Sequence, residues 1–428
     1  MATKRASTVG GDSPVSGVPD SASRVTDDLS TQWLALALLG LVRDRLASIL
    51  SSPVRLIFTR ESRPAKAQLM ESTSPPLPPE DLRHLPSEAI GDDELQRPQP
   101  ADEPMTAGDS SESKNDDLYA MLRDTIERLE ADRTARGDLK ILSRTLRELR
   151  YAFKVFRPYR RRRKVTIFGS ARTAPEHPDY IATESLAREM AKHGWMVITG
   201  AGDGIMAAGH KGAGREASMG LNIMLPFEQQ SNEFIEGDPK LVTLKYFFTR
   251  KLMFVKECSA FVCAPGGFGT LDETLETLTL MQTGKQTMMP LVLLDRPGGS
   301  YWKDLGVFMD RHLLNERLIS PADVALYRIT DSVEEAVEEV LGFYRNYHSS
   351  RYIRNRLVFR LHRPISAERL ELLNHKFFDI LVDGKFEQSG PLDEEVGEEE
   401  LADMPRLSFH FDRRQLGRLR MLINYVNE

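Results

Sequence analysis

The sequence predicts an α/β protein built on a doubly wound parallel sheet. Between residues 164 and 347, short β-branched runs alternate with helical stretches, the pattern of a parallel sheet covered on both faces. Three of the strand ends open into glycine-rich turns, the places where such sheets hold ligands. The composition, 41% apolar and 28% charged over 428 residues, suits a globular chain of about two to four domains at roughly 100–200 residues each.

Along the chain, residues 1–115 read as mostly disordered. Residues 61–120 hold 9 of the 24 prolines and 14 acids against 5 bases, too little apolar surface to offset the entropy of ordering. Within this stretch, 29–50 reads as an amphipathic helix. Its apolar core, Trp33 to Val42, is closed by Arg43, Asp44 and Arg45, well short of the roughly 18–20 residues of a bilayer span.

Residues 116–154 read as a helical arm. Leu118, Met121, Leu122, Ile126 and Leu129 recur at spacings of three and four, and Leu139, Leu142, Leu146 and Leu149 form a second stripe. Gly137-Asp138 is the expected break between them. The basic run Lys154, Arg157, Arg160–Arg163 and Lys164 reads as a solvated connector into the first strand, with a phosphate or nucleic-acid patch as the alternative.

Residues 155–347 form the doubly wound domain. Strands are expected at 164–168, 196–199, 221–225, 260–264 and 291–294. Helices are expected at 180–193, 205–216, 271–282, 302–315 and 332–347, with one more running from Arg250-Lys251 into Cys258. Residues 351–428 read as a small α+β appendage, with strands at 357–361 and 407–411 and helices at 366–381 and 413–426. Its acidic stretch, which contains Glu394, Glu395, Glu398 and Asp403 among others and no base, reads as a solvated loop.

Several classes drop out. With 57 Lys plus Arg against 63 Asp plus Glu, the net charge is −6, which argues against a nucleic-acid partner held by bulk positive charge. Two cysteines, Cys258 and Cys263, are too few for a disulfide framework or a structural zinc site and suit a reducing, cytoplasmic setting. Both read as buried strand residues. His177, His193 and His210 lack ligand spacing, so neither a metal site nor a Ser-His-Asp arrangement is predicted, and no cofactor is implied.

The chemistry is expected at the glycine turns. Gly169-Ser170-Ala171-Arg172 follows the first strand, where a hydroxyl and a guanidinium can meet a phosphate. Gly200-Ala201-Gly202-Asp203-Gly204-Ile205-Met206 follows the second and opens a helix, but it has neither dinucleotide nor P-loop spacing. Pro265-Gly266-Gly267-Phe268-Gly269-Thr270-Leu271-Asp272-Glu273 follows the strand at 260–264 and leaves the amides of a helix start open to an anion. Two readings of Glu273 stand side by side. Thr270-x-x-Glu273 has the spacing of a capping box, and a carboxylate beside a phosphate cradle can also face a ribose or a water. Arg250-Lys251 adds two cations.

Taken together, these residues resemble the LOG (Lonely Guy) family, formerly described as possible lysine decarboxylases. The likeness rests on Phe168 to Arg172, Gly200 to Met206, Thr249-Arg250-Lys251 and the complete PGGxGTxxE motif from Pro265 to Glu273. Gly220-Leu221-Asn222-Ile223, with Leu225-Pro226-Phe227-Glu228-Gln229, resembles a bacterial subgroup. The resemblance covers about residues 155–347. It implies a phosphoribohydrolase that splits nucleoside 5′-monophosphates, AMP or cytokinin-like nucleotides, into free base and ribose 5-phosphate. It implies catalysis by Arg250 and Glu273. It implies substrate binding by Gly169, Ser170, Arg172, Gly202, Gly204, Lys251, Gly266, Gly267, Phe268, Gly269, Thr270 and Asp272, and a homodimer or higher homo-oligomer. Asp203 is a weak candidate for a general acid. Asp272 stands where many members carry Glu, and Tyr246-Phe247-Phe248-Thr249 replaces a more polar run, which favours AMP or another purine nucleotide over a cytokinin precursor. The alternative is a non-catalytic carrier or sensor of a nucleotide or a molybdenum cofactor-like group on the same fold.

Overall fold

The computed structural model describes residues 115–224, 231–392, 395 and 401–428. The N-terminal stretch with its 29–50 helix, the motif residues 225–229 and the acids Asp393, Glu394, Glu398, Glu399 and Glu400 lie outside the described residues.

Two helices lead in, α1 (Asp116–Ala131) and α2 (Arg136–Phe156). The break falls at residues 132–135 rather than at Gly137-Asp138. Arg133 turns to a φ of 51°, and the Thr134 amide donates to the Leu129 carbonyl at 3.1 Å. Gly137 and Asp138 instead occupy the first turn of α2, where a carboxylate is favoured by the helix dipole.

The central sheet follows as β1 (Lys164–Phe168), α3 (Pro178–Lys192), β2 (Met196–Thr199), α4 (Ile205–Ala213), β3 (Ser218–Ile223), β4 (Leu241–Leu244), α5 (Phe247–Glu257), β5 (Ala260–Cys263), α6 (Phe268–Gln282), β6 (Leu291–Leu294), α7 (Tyr301–Phe308), β7 (Arg328–Thr330) and α8 (Val333–Phe343). All seven strands are parallel, in the order β4-β3-β2-β1-β5-β6-β7. The chain winds outward from β1 to β4, then returns to the other side of β1 with β5. The switch point therefore lies between β1 and β5, where open α/β sheets form their ligand crevice.

The pleat divides the core between two faces. Val165, Ile167, Val197, Val262, Val292 and Leu294 pack on one side. Phe168, Ile198, Leu221, Phe261 and Leu293 pack on the other. Phe168 stacks on Phe261 with centroids 5.6 Å apart and meets Phe254 of α5 edge-on at 4.8 Å.

Some boundaries differ from expectation. The strand expected at 221–225 runs from Ser218 to Ile223. The helix expected at 302–315 is α-helical only to Phe308 and continues as a wider π-helical turn, Met309–Leu314. The helix expected at 332–347 ends at Phe343, because the Asn346 and Tyr347 amides donate to Asn427 Oδ1, each at 2.8 Å, and Tyr347 enters a second sheet.

That sheet comprises β8 (Tyr347–Ile353), β9 (Arg356–Leu361), β10 (Leu381–Ser389) and β11 (Arg406–Phe411), antiparallel in the order β10-β11-β9-β8. Helices α9 (Ala367–Lys376) and α10 (Leu416–Asn427) cover it. The Ser366 hydroxyl caps α9 by accepting from the Arg369 amide at 3.2 Å, a contact worth about 1 kcal/mol. The helix expected at 366–381 stops at Lys376, and Leu381 already belongs to β10. Phe359, Phe409 and Phe411 join the same apolar cluster as Phe168 and Phe261.

Glu395 is not solvated. It is buried between two fully buried guanidiniums, with Oε1 receiving Arg360 Nη2 at 3.1 Å and Oε2 receiving Arg406 Nε at 2.8 Å. Among the described residues, no helix is long and apolar enough to cross a membrane.

Candidate active site

The loops after β1 and β5 meet at the switch point. The Ser170 amide donates to the Pro265 carbonyl at 3.1 Å, and the Ser170 carbonyl accepts from the Ile205 amide at 3.0 Å. All three glycine turns are thus tied to one residue. Gly204 sits at φ 62°, a conformation that favours glycine, and a Cβ there would lie 2.3 Å from the Ser170 carbonyl oxygen. A Cβ on Gly266 would lie 2.1 Å from Thr270 Oγ1 and 3.0 Å from the Ser170 amide nitrogen.

The second turn is braced from below. Asn232 Nδ2 donates to the Gly202 carbonyl at 2.8 Å, and the Ala201 amide donates to Thr199 Oγ1 at 3.0 Å. Buried His210 contacts both Thr199 and Asn232, at 3.1 and 3.3 Å, and burial pushes its pKa down. This histidine is structural. Ala201 is held at φ 61°, a conformation that costs a non-glycine residue on the order of 1 kcal/mol.

The third turn opens α6. Gly267 is the N-cap residue and offers no side-chain cap. Thr270 already lies in the helix, so it cannot cap it, and the capping-box reading of Thr270-x-x-Glu273 fails. The Thr270 amide donates to the Gly267 carbonyl at 3.0 Å, and among the described residues the Phe268 and Gly269 amides stay open to an anion. Phe268, at its start, is 93% exposed. Tyr301, which the sequence reading did not single out, donates its hydroxyl to the Gly266 carbonyl at 2.7 Å and pins the loop. Of the first turn, Gly169 and Ser170 are half-buried and face the crevice loops, whereas the Arg172 side chain is exposed, with its amide donating to Ser170 Oγ at 3.1 Å.

Glu273 lies one turn further along α6. It is 7% exposed and receives no side-chain hydrogen bond among the described residues. Burial pushes its carboxyl up to about 7, against the pull of Lys251 and Arg250. Arg250 stands beside it. A Cβ built on Gly200 would lie 3.6 Å from Arg250 Nη1, which places the guanidinium against the second turn. Its Nε is buried and has no partner among the described residues, its centre lies 5.2 Å from the Phe247 ring and 5.6 Å from the Phe254 ring, and burial lowers its pKa. Lys251 differs. Its Nζ lies 2.9 Å from Asp272 Oδ2, 3.9 Å from Glu273 Oε2 and 2.5 Å from Glu276 Oε2. Burial pushes its pKa down, but Glu276 and Asp272 more than offset this. Its charge is spent on carboxylates rather than held open for a phosphate.

One further residue escaped the sequence reading. Glu148 of α2 is buried and accepts from Arg144 Nε at 2.7 Å, from the Lys245 amide at 2.9 Å and from Thr249 Oγ1 at 2.9 Å. Burial alone would raise its pKa, but these three donors hold it below the ordinary carboxylate range. It thereby clamps the start of α5, next to Arg250. The available signal was its place on the Ala152–Phe156 stripe, since a lone carboxylate among core positions needs buried partners.

The assembled groups are an open helix start with a hydroxyl, a buried carboxylate poised near neutrality and a guanidinium with hydrogen-bonding capacity to spare. They can hold an anion at one end and stabilise a developing cation at the other. Asp203 and Asp272 lie at the exposed rim.

The family described as "Possible lysine decarboxylase" matches residues 201–340. A probable cytokinin riboside 5′-monophosphate phosphoribohydrolase of Oryza sativa subsp. japonica is 29% identical over 164 residues, 37% of this chain and 63% of that protein. A cytokinin riboside 5′-monophosphate phosphoribohydrolase of Arabidopsis thaliana is 35% identical over 91 residues, 21% of this chain and 41% of its own length. The enzyme of that name from Mycobacterium marinum is 29% identical over 109 residues, 25% of this chain and 58% of its own. The chain thus spans between 41 and 63% of the length of these three relatives. Among solved structures, a molybdenum cofactor binding protein from Rippkaea orientalis aligns with 42% of this chain and 94% of its own, at 18% identity and a TM-score of 0.30. Through its central parallel-sheet domain, this chain is similar in sequence to proteins of the LOG family.

Proposed function

We infer that this protein hydrolyses the N-glycosidic bond of a nucleoside 5′-monophosphate, with AMP or another purine nucleotide as substrate, to free base and ribose 5-phosphate. The observation that carries the reading is Glu273, a buried carboxylate without a hydrogen-bonded partner among the described residues, beside Arg250 and one turn in from an uncapped helix start. At 1.5 Å per residue, the open amides at Phe268 and the Glu273 backbone are about 7 Å apart along α6. That separation suits a substrate whose phosphate and reacting carbon are divided by a ribose.

The phosphate lies on the Phe268 and Gly269 amides at the start of α6, with the Thr270 and Ser170 side chains beside it. The bond from C1′ to the base breaks with its electron pair leaving on the base, and positive charge builds on the ribose. Ionised Glu273 stabilises that charge and takes a proton from the attacking water, whose oxygen bonds to C1′; the leaving base takes one proton from solvent, and Glu273 returns its own to solvent. Arg250 stands at the leaving side, and Lys251 positions Glu273. Anchoring the phosphate away from the reacting carbon supplies binding energy for orientation. The relatives' printed names support this reaction class.

The test is release of free adenine from AMP by the purified protein, followed by chromatography. Because Glu273 must be ionised, kcat/KM is expected to rise with pH through about 7. Bound but intact AMP, with intact ligand recovered across a panel of nucleotides, would instead indicate a carrier or sensor. Gly266→Ala, which forces a methyl against Thr270 and the Ser170 amide, is expected to leave the fold intact by circular dichroism. It should lower kcat/KM by about 10²-fold; unchanged kinetics would remove this loop from the substrate site.

A further inference from the structure

The helical arm carries apolar surface that it does not bury. No residue of α1 is buried, and Leu118, Leu122 and Ile126, four apart on one face, stay half-exposed. Leu139, Leu142 and Leu146 form a similar exposed stripe on α2, away from the Glu148, Ala152 and Phe156 face that packs on the domain. Helices of this length hold in water chiefly through a covered apolar face.

The charges identify what covers them. α1 has five acids against two bases, and α2 has six bases against two acids. Among the described residues, Asp116, Asp117, Glu127 and Glu130 form no ion pair, nor do Arg136, Lys140, Arg147 and Lys245. Those four cations line a groove of about 480 Å³ with Leu139 and Tyr246. At about 100° per residue, Asp116, Glu127 and Glu130 flank the α1 stripe on the same rotational side as Arg136, Lys140 and Arg147 flank the α2 stripe. Two such edges meet when the helices run antiparallel.

We propose that two copies of this chain exchange arms. The acidic α1 of one lies antiparallel in the basic groove of α2 on the other, and the reverse contact is made by the same two-fold axis. A reciprocal contact of this kind covers both stripes and neutralises both charge sets with one self-complementary interface. It borders the start of α5, which Glu148 of α2 clamps, so the assembled arms brace the helix that carries Arg250.

The test uses charge reversal in the full chain. One variant carries Glu127→Lys with Glu130→Lys; the other carries Arg136→Glu with Lys140→Glu. Each alone places like charges on both helices, and its mass by sedimentation is expected to fall to half that of the parent. Mixed in equal amounts, the two variants carry complementary charge at both contacts, and the parent mass is expected to return. A general folding defect cannot produce that recovery. As a second reading, Met121→Cys in one tagged copy and Leu142→Cys in another should form a disulfide between copies. Burial pushes the native thiols of Cys258 and Cys263 far up, which keeps them silent. Unchanged mass in either variant, no recovery on mixing, or a crosslink formed only within one chain when both cysteines are placed together would overturn the exchange.

Discussion

Glu273→Gln is expected to make the protein more stable while removing its turnover. The carboxyl of Glu273 sits at about 7 in the folded chain against an ordinary 4.5. Between those values the folded state binds the extra proton, so stability falls as pH rises. Above about pH 7 the full cost of ionising a buried carboxyl is present, on the order of 3 kcal/mol. Glutamine keeps the shape and loses the charge. By chemical denaturation, the variant should exceed the parent by up to that amount at pH 8 and match it near pH 4. Adenine release should fall by about 10²–10⁴-fold while AMP still binds. A capping role would reverse the first sign, since losing a cap costs stability. A variant that unfolds more easily at pH 8 would therefore remove the strained carboxylate from the argument. A stable variant with undiminished turnover would remove Glu273 from the chemistry.

How far the fold could be read in advance depends on where each strand lies in its sheet. The central strands β1, β2, β3, β5 and β6 are buried on both faces and stand out as near-continuous apolar runs. The four strands missed, β4, β7, β8 and β10, are the four edges of the two sheets. Edge strands bury less. β4 has the pattern Leu241, Val242, Thr243, Leu244 with Thr243 exposed, β7 is three residues long, and β10 carries Asp383, Gly384 and Lys385. Short edges with charged or small residues resist further pairing, and the same features hide them from a hydropathy reading. Their existence is a property of the partner strand, not of the local sequence.

The site divides in a similar way. Glycine turns at strand ends are visible because glycine adopts conformations such as that of Gly204, φ 62° and ψ −127°, at the least cost, and residues 266–273 are contiguous. Contacts between distant segments are not visible. Glu148 reaches Thr249 across 101 residues, Tyr301 reaches Gly266 across 35, and Asn232 reaches Gly202 across 30. Each is an ordinary polar residue until the fold brings it to its acceptor or donor. Lys251 shows the converse. Beside an anion cradle in the sequence, it reads as a phosphate ligand; in three dimensions it meets three carboxylates one and two turns along α6.

Glu395 takes this argument to its largest energetic consequence. In the sequence it is one acid in a run of acids; in the fold it is the charge shared by Arg360 and Arg406, both fully buried. The Leu392 amide adds a donor at 3.0 Å. Burial alone would raise its pKa, yet Arg406 and the Leu392 amide, with Arg360, hold it below the ordinary range. Removing one partner of a buried ion pair costs about 3–5 kcal/mol, because the charges left behind cannot return to water. Glu395→Ala is therefore expected to lower Tm by roughly 10 °C, whereas Glu395→Gln, which keeps an acceptor, should cost less. The pH dependence has the opposite sign to that of Glu273. The stabilisation is complete above the ordinary carboxylate pKa of 4.5 and is lost as pH falls through the lowered value. The deficit of the alanine variant should therefore be full at pH 7 and shrink in acid, as protonation of the parent's own carboxyl reproduces the loss. A deficit that is small at pH 7 would show that Arg360 and Arg406 do not depend on this carboxylate.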